Sequence, residues 1–272
     1  MVAAILGKDV HTGNLVTLTP EQRLHGLYVI GRPRSGKTTL LVNLILQDIH
    51  HGRGLCFIDL HGDAIDDILA RLPQDREQDV ILLSAQSMST LNFTKVLDEG
   101  KIILLKYPRQ HELVTGFIGT ILLRHFLHAA QASADMPLQE RKPFSLYLDG
   151  YQHYASDEIA NFLAKIRKHN ISTCITHQFR YQLDPLNRAA TFNMGNKVIF
   201  HVSDEDAQEL AKLFFLPLRR ENIEDEPPYE KHVSSRDEHV RIENELSNLT
   251  MFTARVKIGQ HESTIQTISL NE

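Results

Sequence analysis

The 272-residue sequence predicts an α/β domain with a largely parallel sheet and helices on both faces. Three observations carry this expectation. Continuous apolar runs, as in strands buried on both sides, alternate with segments of helical periodicity. An apolar content of 42% is enough for a sizeable core. A loop bracketed by Gly31 and Gly36 and ending in Lys37-Thr38 lies between an apolar run and a helical one, where such a fold turns from strand to helix.

The elements follow in order. Alternating apolar positions around Thr12-Gly13-Asn14 predict a β-hairpin in the first 25 residues, leading into a strand over Leu27–Ile30 and a helix over 39–49. Residues 54–60 form an unbroken apolar run carrying Asp59, the second predicted strand. A helix at 64–72, strands at 79–84 and 102–106 and an apolar helix at 113–130 come next, then strands at 144–148, 172–176 and 197–202. Ser156 and Ser203 each precede acidic residues and then apolar positions at helical spacing, so both read as N-caps whose first-turn acids complement the helix dipole. Residues 219–239 are charged, contain Pro227-Pro228 and hold few apolar anchors, which predicts a surface connection. Alternating runs at 251–258 and 263–270 predict a closing hairpin. The expected organisation is therefore an α/β domain with its N-terminal hairpin over 1–218, a charged connection over 219–245 and a C-terminal hairpin over 246–272.

Composition narrows the classes of partner. With 29 basic against 34 acidic residues the net charge is −5, so no global field draws nucleic acid or an anionic membrane, and any DNA contact needs a local patch. Arg109, Arg180 and Arg188 are the candidates for such a patch. Cys56 and Cys174 lie in apolar, β-rich segments and read as reduced core residues of a cytoplasmic protein. The N-terminal apolar run is too short for a secretory signal or a membrane span. His125 and His128 share a helix face, yet no second ligand pair is near them in sequence, so no structural metal is expected there.

Gly31-Arg32-Pro33-Arg34-Ser35-Gly36-Lys37-Thr38 is a complete G-x-x-x-x-G-K-[ST] phosphate loop. Backbone N–H groups and a helix N-terminus converge there on a β-phosphate, with Thr39 continuing the first turn. Lys37 would reach the β- and γ-phosphates, and the Thr38 hydroxyl would ligate Mg²⁺. The expected cofactors are ATP and Mg²⁺. A second part of such a site is an acid at the end of a strand, holding the cation. Asp149 ends the run Phe144-Ser145-Leu146-Tyr147-Leu148, and Asp59 is its rival.

The run Leu146-Tyr147-Leu148-Asp149-Gly150-Tyr151-Gln152-His153-Tyr154, then Arg167-Lys168-His169, then Ile175-Thr176-His177-Gln178, resembles the motor domain of the HerA and FtsK superfamily, and its conjugative type IV secretion coupling ATPases in particular. Segments 25–38, 57–63, 100–105 and 193–207 fit the same pattern, so the resemblance spans roughly residues 5–215. It implies a RecA-like P-loop NTPase in which the Gln178 strand lies between the phosphate-loop and Asp149 strands. It further implies a ring, usually hexameric, with nucleotide between subunits and DNA in the channel. By position, Gln178 becomes the γ-phosphate sensor and Arg167 an arginine finger reaching a neighbour's nucleotide. The other reading of Arg167 is a cation favoured by a helix C-terminus.

Two departures qualify the resemblance. The family places a glutamate after the strand-end aspartate to polarise the attacking water, and this chain has Gly150. Losing a general base costs on the order of 10²–10⁴ in rate. That leaves slow turnover, a substitute base at Asp59, Asp63 or His153, or an inactivated site. The helical insertion of relatives is replaced by a short link from Leu83 to Lys101, which weakens the expectation of a relaxase or secretion-channel partner. The reading is an ATP-binding, ATP-hydrolysing ring motor that translocates or loads on DNA. The alternatives are a hydrolysis-impaired nucleotide-binding ring scaffold and, more remotely, a small-molecule kinase.

Overall fold

The computed structural model describes residues 2–59, 63–83, 91–106, 112–132, 137, 140–214 and 235–269. One 11-stranded sheet organises them. Strands β1 (Ala4–Asp9) and β2 (Leu15–Leu18) form the predicted hairpin, and its turn is held by Asp9, whose Oδ1 accepts from the backbone N–H groups of His11 and Thr12 at 3.0 and 2.8 Å. A short helix α1 (Pro20–Arg23), closed by a Thr19–Gln22 capping box, leads into β3 (Leu27–Ile30). Helix α2 (Lys37–His50), strand β4 (Gly54–Asp59), helix α3 (Asp63–Leu69) and strand β5 (Val80–Leu83) follow. The link after Leu83 contains a helix that the sequence reading lacked, α4 (Phe93–Glu99), capped by Asn92, whose side chain accepts from Lys95 N–H at 3.0 Å.

Strand β6 (Ile102–Lys106), the long helix α5 (Glu112–Ala132) and strand β7 (Phe144–Leu148) agree with expectation. Helix α6 (Asp157–Leu163) starts at the predicted Ser156 cap but stops before Ile166, and a 3₁₀ turn over Ile166–His169 carries the chain into β8 (Ile171–His177). Helix α7 (Pro185–Phe192) precedes β9 (Asn196–Ile199), and α8 (Asp204–Ala211) begins at its Ser203 cap, whose hydroxyl accepts from Asp206 N–H at 3.2 Å. The charged stretch also yields structure: its described part contains helix α9 (Ser235–Leu246), anchored by the buried Ile242 and Leu246. Two apolar anchors one turn apart are enough to dock a helix against α8, although they are too few to stand out in so polar a stretch. The closing hairpin is β10 (Thr253–Ile258) and β11 (His261–Gln266), the second strand ending earlier than predicted.

The sheet order is β2-β1-β11-β10-β9-β3-β8-β7-β4-β6-β5. From β9 to β5 all pairings are parallel, whereas from β9 through β10, β11 and β1 to β2 they are antiparallel. The terminal hairpins are thus continuous with the sheet, pairing through β10 to β9 and through β11 to β1. As the resemblance implies, β8 lies between β3 and β7.

Residues on the parallel strands are divided between two cores. Tyr28, Ile30, Cys56 and Ile58 pack on the face covered by α4, α5, α6, α8 and α9, while Leu27, Val29, Leu55 and Phe57 pack on the face covered by α2 and α3. This two-sided burial explains why these strands are continuous apolar runs. On α2 the buried Leu40, Leu41, Leu44 and Ile45 each contribute about 1.5–3 kcal/mol. That fixes the helix whose N-terminus carries Lys37 and Thr38. Both cysteines are buried and unbridged, as expected.

Candidate nucleotide site

The phosphate loop leaves the C-terminal end of β3 and enters α2, the edge of a parallel sheet where ligands are bound in this class of fold. Its shape depends on glycine at both ends. A side chain on Gly31 would lie 2.6 Å from Phe200 Cβ and 2.7 Å from Ser35 Oγ, and Gly36 has φ 116°. Arg34 is in the left-handed region at φ 62° with its side chain exposed, and Arg32 folds back so that its guanidinium donates to His201 Nε2 at 3.3 Å.

Lys37 is buried, and its ammonium donates to the carbonyls of Gly31 at 2.6 Å and Arg32 at 2.8 Å. Burial pulls its pKa down to about 8 against the opposing charge of Asp149. The lysine therefore holds its own loop closed, and phosphate oxygens can replace the two carbonyls as acceptors. Thr38 is exposed on the first turn of α2 and Thr39 is half-buried beside it.

Asp149 follows β7 directly, two strands from the loop. Its Oδ1 accepts from the Thr176 hydroxyl on β8 and from the Gly150 N–H at 3.1 Å, and its backbone carbonyl accepts from the Tyr154 hydroxyl. A carboxylate oriented by two donors, together with the Thr38 hydroxyl, is a sparse protein donor set. It suits Mg²⁺, which keeps most of its sites for water and substrate phosphate. Thr176 and Tyr154 were given no role from the sequence; Ser172, Thr173 and His177 also break the apolar pattern of this strand, so nothing marks Thr176 out.

The chain after Asp149 does more than lack a glutamate. Gly150 has φ 68° and ψ 46° and turns the chain into a 3₁₀ turn over Tyr151–His153. The β-conformation that would carry a side chain onward along the strand is therefore absent at this position. Asp59, the sequence rival, ends β4 next to β7, since Asp149 N–H donates to Ile58 O at 3.2 Å. Its Oδ2 also accepts from Ala64 N–H at 3.1 Å and caps α3. Burial and then the charges of Asp149 and Asp59 push the Tyr154 phenol well above its ordinary pKa. His153 is exposed. The Asp63 side chain lies outside the described residues.

Gln178 sits at the end of β8, half-buried, in a turn fixed from both sides. His177 Nδ1 donates to Phe179 O at 3.1 Å, so its Nε2 is the acceptor for the Tyr28 hydroxyl at 2.8 Å. Burial lowers the His177 pKa to about 3, keeping the ring neutral. Arg180, expected as a surface cation for DNA, is instead 1% exposed. It pairs with Glu209 at 2.9 Å, donates to Tyr28 and Thr191 at 3.2 Å and lies 3.6 Å over the Phe192 ring. A guanidinium so enclosed anchors the Gln178 turn to α7 and α8 and is not a surface cation. Arg188 is half-buried and donates to Leu183 O at 2.9 Å; Arg109 lies outside the described residues.

Arg167 is exposed in the 3₁₀ turn before β8, at the opposite edge of the sheet from the phosphate loop. The seven residues of β8 separate it from Gln178, a strand length of about 20 Å. It does not meet Lys37 of its own chain.

Fold and loop together define a RecA-like P-loop α/β domain. No protein-family model and no curated protein matches the sequence. Solved structures do match by shape. The plasmid coupling protein TrwB, in complex with ADP and Mg²⁺, superposes with a TM-score of 0.66 at 11% identity, over 93% of this chain and 87% of that one. VirB4 of Thermoanaerobacter pseudethanolicus gives 0.59 at 12% identity, covering 97% and 96%. The genome packaging NTPase B204 of Sulfolobus turreted icosahedral virus 2, in complex with ATP-gammaS, gives 0.53 at 11% identity, covering 92% and 100%. These structures share the fold of this chain, the RecA-like arrangement that the sequence resemblance implies. Among the described residues, no helix is long and apolar enough to cross a membrane.

Proposed function

We propose that this chain is an ATP-binding subunit of a ring motor that acts on DNA. The observation that carries the proposal is the convergence of the phosphate loop, Asp149 and Gln178 on the C-terminal ends of the adjacent strands β3, β7 and β8. Lys37 and the loop N–H groups would hold the phosphates, while Thr38 and Asp149 would hold Mg²⁺, which supplies charge neutralisation at the β- and γ-oxygens. Gln178, at the end of its anchored strand, would contact the γ-phosphate. Arg167 lies at the opposite end of β8 from its own loop, so a finger role would be played on a neighbouring subunit's nucleotide, as in the ring that the resemblance implies. DNA as the substrate, and a secretion or processing machine as the protein partner, are supported by the descriptions of TrwB as a plasmid coupling protein and B204 as a genome packaging NTPase.

A second reading is favoured by the left-handed turn at Gly150: a nucleotide-binding ring scaffold with impaired hydrolysis. In the motor reading, Asp59, which ends β4 beside Asp149, would be the substitute base. ATP turnover with and without double-stranded DNA, on the native chain and Lys37→Ala, separates the two. Loss of one preorganised charge contact lowers kcat on the order of 10²–10³-fold, so DNA-stimulated turnover that vanishes in Lys37→Ala supports the motor. Mg²⁺-ATP binding and ring formation without turnover support the scaffold. Failure to bind Mg²⁺-ATP would falsify both.

A further inference from the structure

Among the described residues, three non-glycine positions have positive φ: Arg34, Asn170 and Phe252. Asparagine tolerates this region and Arg34 belongs to the phosphate loop, but a phenylalanine there is a genuine outlier. Phe252 has φ 63° and lies in the turn before β10, where a glycine would relieve the conformation. Strain kept at one point of a fold is a pointer to function when it coincides with a site.

The coincidence here is close. Phe252 N–H donates to the carbonyl of Ser35, inside the phosphate loop, at 2.9 Å. A side chain on Gly36 would meet Phe252 Cα and Cδ1 at 3.1 Å, so the ring lies against the loop's last glycine. The Phe252 carbonyl accepts from the Thr267 N–H at 2.8 Å and its hydroxyl at 3.1 Å, and the adjacent Ile268 carbonyl accepts from Asn43 Nδ2 on α2 at 2.7 Å. The turn is thereby fastened both to the loop and, through the segment after β11, to the helix that begins at Lys37. Yet the ring is not sealed in: Phe252 remains 37% exposed and Met251 beside it 59%. A rigidly held, partly exposed aromatic against a phosphate loop has a π-face for a base whose phosphates the loop holds.

We propose that Phe252 is the stacking platform for the nucleotide's base. The proposal rests on the nucleotide-binding reading and adds to it the residue that distinguishes a nucleotide from a bare polyphosphate. The left-handed backbone keeps the ring over the loop, and the Ser35 hydrogen bond couples the platform to phosphate binding.

The test compares Mg²⁺-ATP with inorganic tripolyphosphate, which has the phosphates and no base, on native protein, Phe252→Gly and Phe252→Tyr. Glycine adopts φ 63° without strain, so the turn and its hydrogen bonds are expected to persist while the ring is removed; a thermal melt checks the fold. Phe252→Gly is expected to weaken ATP roughly ten-fold, the usual scale of a base–aromatic stack, and to leave tripolyphosphate binding as in the native chain. Phe252→Tyr keeps a ring and is expected to keep ATP affinity. Equal ATP affinity in native and glycine variants overturns the platform while leaving the nucleotide reading intact. So does a parallel loss of both ligands in a folded glycine variant, since that loss belongs to the loop and not to a base. Native protein that binds neither ligand overturns the nucleotide reading itself, and the platform with it.

Discussion

Two groups of charged side chains, Arg23 and Asp48 at the N-terminal end of the parallel strands and Lys37 and Asp149 at the C-terminal end, are held in different ways. At the N-terminal end, under the last turns of α2, Arg23 donates to both Asp48 oxygens at 2.5 and 2.7 Å and to the Tyr147 hydroxyl at 2.9 Å, while Tyr147 donates to Asp48 at 2.7 Å. Ser145 and Ser172, 2.9 Å apart, extend this network to Arg53. Every ionic group there is matched to one of opposite sign or to a hydroxyl. At the C-terminal end the Lys37 ammonium rests on backbone carbonyls of its own loop, and Asp149 is oriented by neutral donors. A charge matched by charge is locked; one held by neutral groups can be transferred to a ligand. The difference makes Lys37 and Asp149, and not the Arg23–Asp48 pair, the candidates for ligand contact.

The largest way to break the comparison is Asp48→Ala. It leaves the Arg23 guanidinium buried without its carboxylate, which costs about 3–5 kcal/mol, or roughly 6–20 °C in Tm for a domain of this size. Burial raises the Asp48 pKa, but the hydrogen bond and charge of Arg23 outweigh it and hold the carboxyl below its ordinary value. Its contribution is therefore complete above the unfolded pKa of about 3.9 and is lost as pH falls below that. ATP affinity at 25 °C should be unchanged in this variant. A loss of affinity without a fall in Tm would mean that the two ends are not independent.

Gly150→Glu is the next test, applied to the other end. The family pattern suggests that a glutamate here would restore a water-polarising carboxylate, but the backbone has φ 68°. A side chain in the left-handed region costs about 1–2 kcal/mol. The expected outcome is a lower Tm and no recovery of turnover, because the new carboxylate leaves the chain in a turn and not along β7. If turnover rises while Tm holds, the turn rearranges to accept the side chain, and the missing base is then a matter of composition alone.

What the sequence disclosed follows the same division. The parallel block was legible because strands buried on both faces are continuous apolar runs, and the phosphate loop because its spacing is fixed by geometry. The strand order, with β8 between β3 and β7, was readable through the family pattern, which also put Asp149 and Gln178 just past strand ends, where they lie. Arg180 was misread because an isolated arginine carries no sign of burial; only the fold brings Glu209, Tyr28 and Phe192 around it. Helix α9 was missed because two apolar anchors in a charged stretch make a weak periodicity. The left-handed turns at Gly150 and Phe252 were out of reach for opposite reasons: a glycine permits such a turn without requiring it, and a phenylalanine argues against one.

The smallest expected effect tests the claim that Lys37 is held for transfer. With its pKa near 8 in the folded chain, against about 10.4 unfolded, the folded protein binds fewer protons than the unfolded one between those values. Stability of the nucleotide-free protein should therefore rise with pH from about 8 towards 10, as the cost of burying the ammonium is relieved. ATP affinity should move the other way. Phosphate favours the charged lysine, so binding above pH 8 must take up a proton, and Kd should rise by at most about ten-fold per pH unit. Calorimetric titrations of ATP between pH 7 and 9.5 in buffers of different ionisation enthalpy would read both the affinity and the proton uptake. An affinity flat to pH 9.5 would mean that Lys37 stays charged throughout, and that its two carbonyl partners hold it as firmly as Asp48 holds Arg23.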